Sequence, residues 1–160
     1  MKSPLKSIDS ESLLPLWKKF EHLPLGKHLF SKVFGVYVPY TGQMKPLIQE
    51  IKPGFAQVKL HDRRGVRNHL SSIHAMAMAN LGELATGLAL ISSLPKNTRA
   101  IVVGFSIEYL KKARGTLTAE SQSPVTENPE KRTIEVLGSV KNAEGQEVAR
   151  VKAQWLVGPK

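Results

Sequence analysis

The chain has 160 residues, which reads as one domain long enough to bury a sizeable core. Apolar content of 41% and charged content of 22% fit a globular chain, and the absence of cysteine excludes disulfides, thiolate nucleophiles and cysteine-bound zinc. A net charge of +10 raises nucleic acid or a phosphate-bearing small ligand as partner, against the plainer reading of a basic, solvated surface.

The first nine residues hold no continuous apolar run before Asp9-Ser10-Glu11-Ser12, so no signal peptide is expected. Together with the missing cysteines this gives a cytoplasmic expectation. Leu13, Leu16, Trp17, Phe20 and Leu23 form one apolar helical stripe with Lys18, Lys19 and Glu21 opposite. Ser10 or Ser12 can cap that helix, and Pro24 ends it. Leu25, Leu29, Phe30, Val33, Phe34 and Tyr37 predict a second helix, and Pro39-Tyr-Thr-Gly42 is read as a chain break. A strand through Leu47, Ile48 and Ile51, a turn at Lys52-Pro53-Gly54 and an alternating strand from Phe55 to Leu60 predict a hairpin. The segment from His61 to Arg67 is a polar loop.

Between Arg67 and Lys96 only Glu83 carries a formal charge. The spacing predicts a helix over about 72–92, apolar on nearly all sides and therefore buried. His74, Asn80 and Glu83 interrupt the stretch, which argues against a membrane span. A carboxylate in such a helix loses hydration and must be paired, hydrogen-bonded, protonated or put to use. The plain alternatives are a hydrogen bond to His74, Asn80 or Thr86, or a place at a subunit interface. The rest reads as β: residues 100–109, 115–120, 133–140 and 148–157, four strands in two hairpin-like pairs with a loop over 123–129. In the last of them Val151, Ala153, Trp155 and Val157 share one face. Strands with a segregated helix mean α+β with an antiparallel sheet, curled so as to cover an apolar helix.

The loop-to-helix junction carries a spaced set: Asn68, then His74 after five residues, then Glu83 nine residues later. This set resembles the motif of hotdog acyl-CoA thioesterases of the phenylacetic-acid-degradation type, and Leu81 and Ala85 match the same pattern. The resemblance covers about residues 40–157. The two leading helices look like those of an uncharacterised branch of that superfamily. It implies a single hotdog domain over 1–160, with a helical extension over 1–40 and a core over 41–160 wrapped round the central helix. It further implies an acyl-CoA thioesterase acting as a homodimer or homotetramer, with Glu83 as base or nucleophile. Asn68 then orients water or carbonyl, His74 belongs to the same motif in a role more structural than catalytic, and the N–H of Ala75 or Met76 serves as oxyanion donor. In such dimers the acid and the Asn side often come from different subunits. The chain departs from the family at Ser71, Ala75 and Met76, where glycines stand. Larger side chains there narrow the slot and favour, as the alternative, a non-catalytic module binding acyl-CoA or an acyl chain. Ser71 and Asn80 are assigned to the substrate pocket.

Coenzyme A is expected only as part of the substrate, with no separate cofactor. Arg63, Arg64, Arg67 and the stretch Lys111 to Arg114 are the guesses for its phosphates. His61, His69 and His74 lack tight ligand spacing, so no metal site is expected. The basic residues are thinly spread and only three Tyr and two Trp are available to stack on bases, so nucleic acid is not expected as partner.

Overall fold

The computed structural model describes residues 8–125 and 130–160. The expected absence of a signal peptide, and part of the expected loop over 123–129, lie outside those residues.

The N-terminal helices are α1 (Leu13–Phe20) and α2 (Gly26–Tyr37), as the apolar stripes require. Ser12 stands at the N-cap of α1 as expected, but its side chain makes no capping hydrogen bond. The Asp9 carboxylate accepts the N–H groups of Glu11 and Ser12 at 3.1 and 3.2 Å, while the Ser10 hydroxyl donates to the Pro95 carbonyl at 3.0 Å. The expected break at Pro39-Tyr-Thr-Gly42 is instead a third short helix, α3 (Pro39–Gln43). Proline suits the first helical position, where its missing N–H has no partner to lose. The hairpin follows as β1 (Leu47–Lys52) and β2 (Phe55–Leu60).

The long helix α4 runs Ala75–Ile91, shorter at its start than the expected 72. The backbone ahead of it is engaged elsewhere: Ser72 O accepts from Asn68 N–H at 2.8 Å, and Ile73 N–H donates to Ala113 O at 2.8 Å. After α4 come β3 (Thr98–Tyr109), β4 (Leu117–Gln122), β5 (Arg132–Lys141) and β6 (Glu147–Pro159). The strands form one antiparallel sheet of order β1-β2-β4-β5-β6-β3. The expectation of two sequential hairpin pairs therefore fails for β3, which crosses to the far edge and pairs with β6 from Thr98↔Pro159 to Tyr109↔Ala149. Register breaks at Ile48/Glu50, Val102/Gly104 and Val140/Lys141 bend the sheet.

The curved sheet takes α4 into its concave face, as the resemblance implies. Val58, Leu60, Leu117, Val140 and Ala149 pack around Leu81, Ala85 and Leu88 with almost no exposure. Two glycines set how closely α4 approaches the sheet. A Cβ at Gly82 would lie 2.5 Å from a methyl of Val151, and one at Gly87 would lie 2.9 Å from the Trp155 ring. Trp17, Phe20, Phe30 and Phe34 then seal α1 and α2 onto the same core.

Candidate active site

The loop before α4 is built on Asn68. Its side-chain oxygen accepts the N–H of Leu70 at 2.9 Å and of Ser72 at 3.1 Å. Ser71 stands between them at φ 54°, a left-handed backbone that costs a non-glycine residue on the order of 1 kcal/mol. The Asn68 amide NH2 has no hydrogen-bond acceptor among the described residues and is available as a donor. Asn68→Ala orphans two N–H groups and is expected to cost about 1–3 kcal/mol in urea unfolding. Asn68→Asp keeps the acceptor but removes the amide donor, so it is expected to hold most of that stability.

His74 is the cap of α4. Its Nδ1 accepts the Met76 N–H at 3.1 Å, which puts the ring proton of the neutral form on Nε2. The Met76 N–H is thereby occupied. The Ala75 N–H carries no hydrogen bond among the described residues and points out of the helix start as a free donor. The Tyr109 hydroxyl donates to Ala75 O at 3.0 Å and fixes β3 against this end of α4.

Glu83 lies two turns further along α4, about 12 Å from Ala75 by helix rise. Its carboxyl meets neither His74, Asn80 nor Thr86; the Thr86 hydroxyl donates to the Glu83 backbone carbonyl at 2.8 Å instead. No cation or hydrogen-bond donor reaches the carboxyl among the described residues. Burial alone pushes its pKa above the ordinary carboxylate value. It borders a half-open cavity of about 160 Å³ between α4 and the N-terminal helices, facing Phe34, Tyr37, Val38 and Thr41, with Trp155 at the side.

The other expected residues fall elsewhere. Neither Ser71 nor Asn80 borders the Glu83 cavity. Ser71 is exposed in the loop, and Asn80 is buried with its side-chain oxygen unpartnered among the described residues. A second depression of about 200 Å³ lies at the start of α4 and is lined by Arg67, His74 and Met76; it shares no lining residue with the first. One chain thus keeps the acid and the helix-start donor apart. Arg67 is paired with Asp62 at 2.5 Å, and that bond, with the N–H of Gly115, holds the Asp62 carboxyl below its usual range. Arg63 donates to the Gln43 carbonyl at 2.8 Å, whereas Arg64 is exposed. The Ile73–Ala113 hydrogen bond brings the exposed Lys111, Lys112 and Arg114 alongside the Asn68 loop. Sequence reading missed the cavity wall contributed by α2 and α3. Phe34, Tyr37 and Val38 carry the same apolar spacing as ordinary core, so their signal was present but not distinctive.

A family described as "Domain of unknown function (DUF4442)" matches residues 26–157. The chain belongs to that family. DUF4442 here covers α2 to β6 and leaves α1 outside the match. Among curated proteins none matches the chain significantly. Among solved structures, a genomics target is 27% identical over 91% of this chain and 97% of its own, with a TM-score of 0.79. A protein of unknown function from Pseudomonas aeruginosa, described as a probable thioesterase, is 20% identical over 86% of this chain and 97% of its own, at a TM-score of 0.70. A thioesterase from Haemophilus influenzae is 12% identical over 75% and 82%, at 0.67. This DUF4442 chain shares the fold of those structures, a curved antiparallel sheet around one long helix, which is the hotdog fold. No helix among its described residues is long and apolar enough to cross a membrane.

Proposed function

We propose that the protein hydrolyses an acyl thioester of coenzyme A, with Glu83 as general base or nucleophile. The observation that carries this reading is the state of Glu83: a single acid on a buried helix, without a partner among the described residues, bordering a mostly apolar cavity, its pKa raised by burial. A paired structural acid has its pKa lowered, as Asp62 does. The Ala75 N–H and the Asn68 amide supply donors for the thioester carbonyl and the oxyanion formed on attack. Because the Ala75 donor lies about 12 Å from Glu83 within one chain, the working site joins the acid of one copy to the loop of another. Lys111, Lys112, Arg114 and Arg64 are the basic side chains left for the nucleotide phosphates. The test is thiol release from a panel of acyl-CoAs, wild type beside Glu83→Gln.

The second copy has a surface to meet. Edge strand β3 pairs on one side only, and Ile101, Val103 and Phe105 are exposed at 62%, 55% and 38%. A long apolar edge invites pairing with another chain. Val103→Glu is therefore expected to convert an oligomer to monomer in sedimentation velocity, and to abolish turnover with the fold intact by circular dichroism. A monomeric variant that still turned over would remove the shared site.

A non-catalytic acyl-binding module is the second reading. It is favoured by the Met76 N–H being taken by His74 and by Ser71, Ala75 and Met76 at glycine positions. Tight acyl-CoA binding with no thiol release at any chain length selects it.

A further inference from the structure

Beyond Glu83 the cavity continues along α4 past Gly87 and Leu88 to Ile91, about 12 Å and two turns from the acid. We propose that this cavity seats the acyl group and admits an apolar group of about six carbons, the limit being set by the N-terminal helices. The assignment of an acyl group rests on the thioester reading above; the size limit rests on the cavity itself.

Glu83, Thr41 and Tyr37 are the polar residues that border the space, and the rest of its lining is apolar. Ile91 is the α4 residue of the lining farthest from Glu83, and Ile8, Tyr37 and Ile91 separate the space from a neighbouring depression. Along α4 the lining runs from Glu83 through Leu84, Gly87 and Leu88 to Ile91, so a ligand with a polar head and an apolar tail is seated with its carbonyl toward Glu83. Gly87 keeps the floor clear, and the Trp155 ring packs where its Cβ would stand. The volume of about 160 Å³ compares with the roughly 150 Å³ of an apolar protein cavity that stays dry and binds benzene. Six carbons fill such a space, whether as a straight chain or as a ring.

The roof is not a soft lid. Phe34 is 6% exposed and stacks on Phe30 at 6.4 Å, and Leu13 is 1% exposed in the same cluster. Against this roof a longer tail displaces packed core, and overpacking a packed core is unfavourable. Val38 borders the same space from a partly exposed position between α2 and α3, where a larger side chain can be added at less cost.

The experiment is calorimetric titration of Glu83→Gln with saturated acyl-CoAs from acetyl to palmitoyl and with phenylacetyl-CoA. Affinity is expected to rise about fourfold per methylene up to about six carbons, then to level or fall. Phenylacetyl-CoA is expected to bind like the hexanoyl ligand. Val38→Phe moves the break to shorter chains and Phe34→Leu moves it to longer ones. Opposite shifts are something a general loss of packing does not give. A steady rise to palmitoyl, or a break that stays put in both variants, overturns the proposal. Failure of the two readings is distinguishable. Wild-type turnover with no chain-length break removes the cavity and leaves hydrolysis standing. A binding break without thiol release from any acyl-CoA removes hydrolysis and leaves the cavity.

Discussion

Glu83→Gln is expected to lower thiol release from acyl-CoA by about 10²–10⁴-fold, the range that a positioned acid or base supplies. Glutamine keeps the shape of the side chain and its place at the cavity rim while removing the titrating carboxylate. The wild-type rate depends on the ionised form. Burial raises the Glu83 pKa, so the acidic limb of the rate profile is expected above the ordinary carboxylate value rather than at it. Stability moves the other way. A carboxyl with a raised folded-state pKa contributes stability that is fully present below its unfolded pKa and is lost as pH rises through the folded one. Urea unfolding of the wild type is thus expected to show stability falling with pH across that window. Glu83→Gln is expected to remove that portion of the slope while leaving the protein no less stable near neutrality. A variant that kept wild-type turnover would show that Glu83 is not the catalyst.

The elements with simple periodicity were legible from the chain. The stripe through Leu13, Trp17 and Phe20 gave α1, the alternation from Phe55 to Leu60 gave β2, and the charge-poor run around Glu83 gave α4. The misreadings share a cause: partners far away in sequence. Residues 72–74 fit a helix locally, but their backbone is taken by Asn68, Ala113 and Val66, and the last of these accepts the His74 N–H at 2.8 Å. Strand β3 sits next to β4 in the chain, yet its inward residues Ala100 and Val102 pack with Trp155 and Val157 of β6. Pro39 looked like a breaker because proline both ends helices and begins them, and only the packing on α2 decides between the two. At the site, spacing singled out Asn68, His74 and Glu83, but it did not assign their work. The Asn68 oxygen is spent on building the loop and the His74 ring on capping the helix. Of these residues and the helix start, that leaves an amide, one backbone N–H and an acid without a partner among the described residues.

Phe30→Ala carries the second large expected effect. Phe30 is fully buried at the centre of the N-terminal aromatic cluster, with ring centroids 5.0 Å from Trp17, 6.1 Å from Phe20 and 6.4 Å from Phe34. Removing a buried phenyl ring costs about 3–5 kcal/mol, on the order of a thousandfold in the folded-to-unfolded ratio. The urea midpoint is expected to drop accordingly. Leu29, one residue earlier, is 51% exposed, and Leu29→Ala is expected to stay within about 0.5 kcal/mol of wild type. The pair separates two views of the leading helices. If they are part of the core, Phe30→Ala lowers a single cooperative transition and loosens Phe34 above the Glu83 cavity. If they are a loosely docked cover, Phe30→Ala adds an early transition in aromatic fluorescence and leaves the main one where it was. The continuous packing from Trp17 through Phe30 and Phe34 to Leu84 and Leu88 favours the single transition. On that view one ring holds both the stability of the extension and the shape of the space beside the acid.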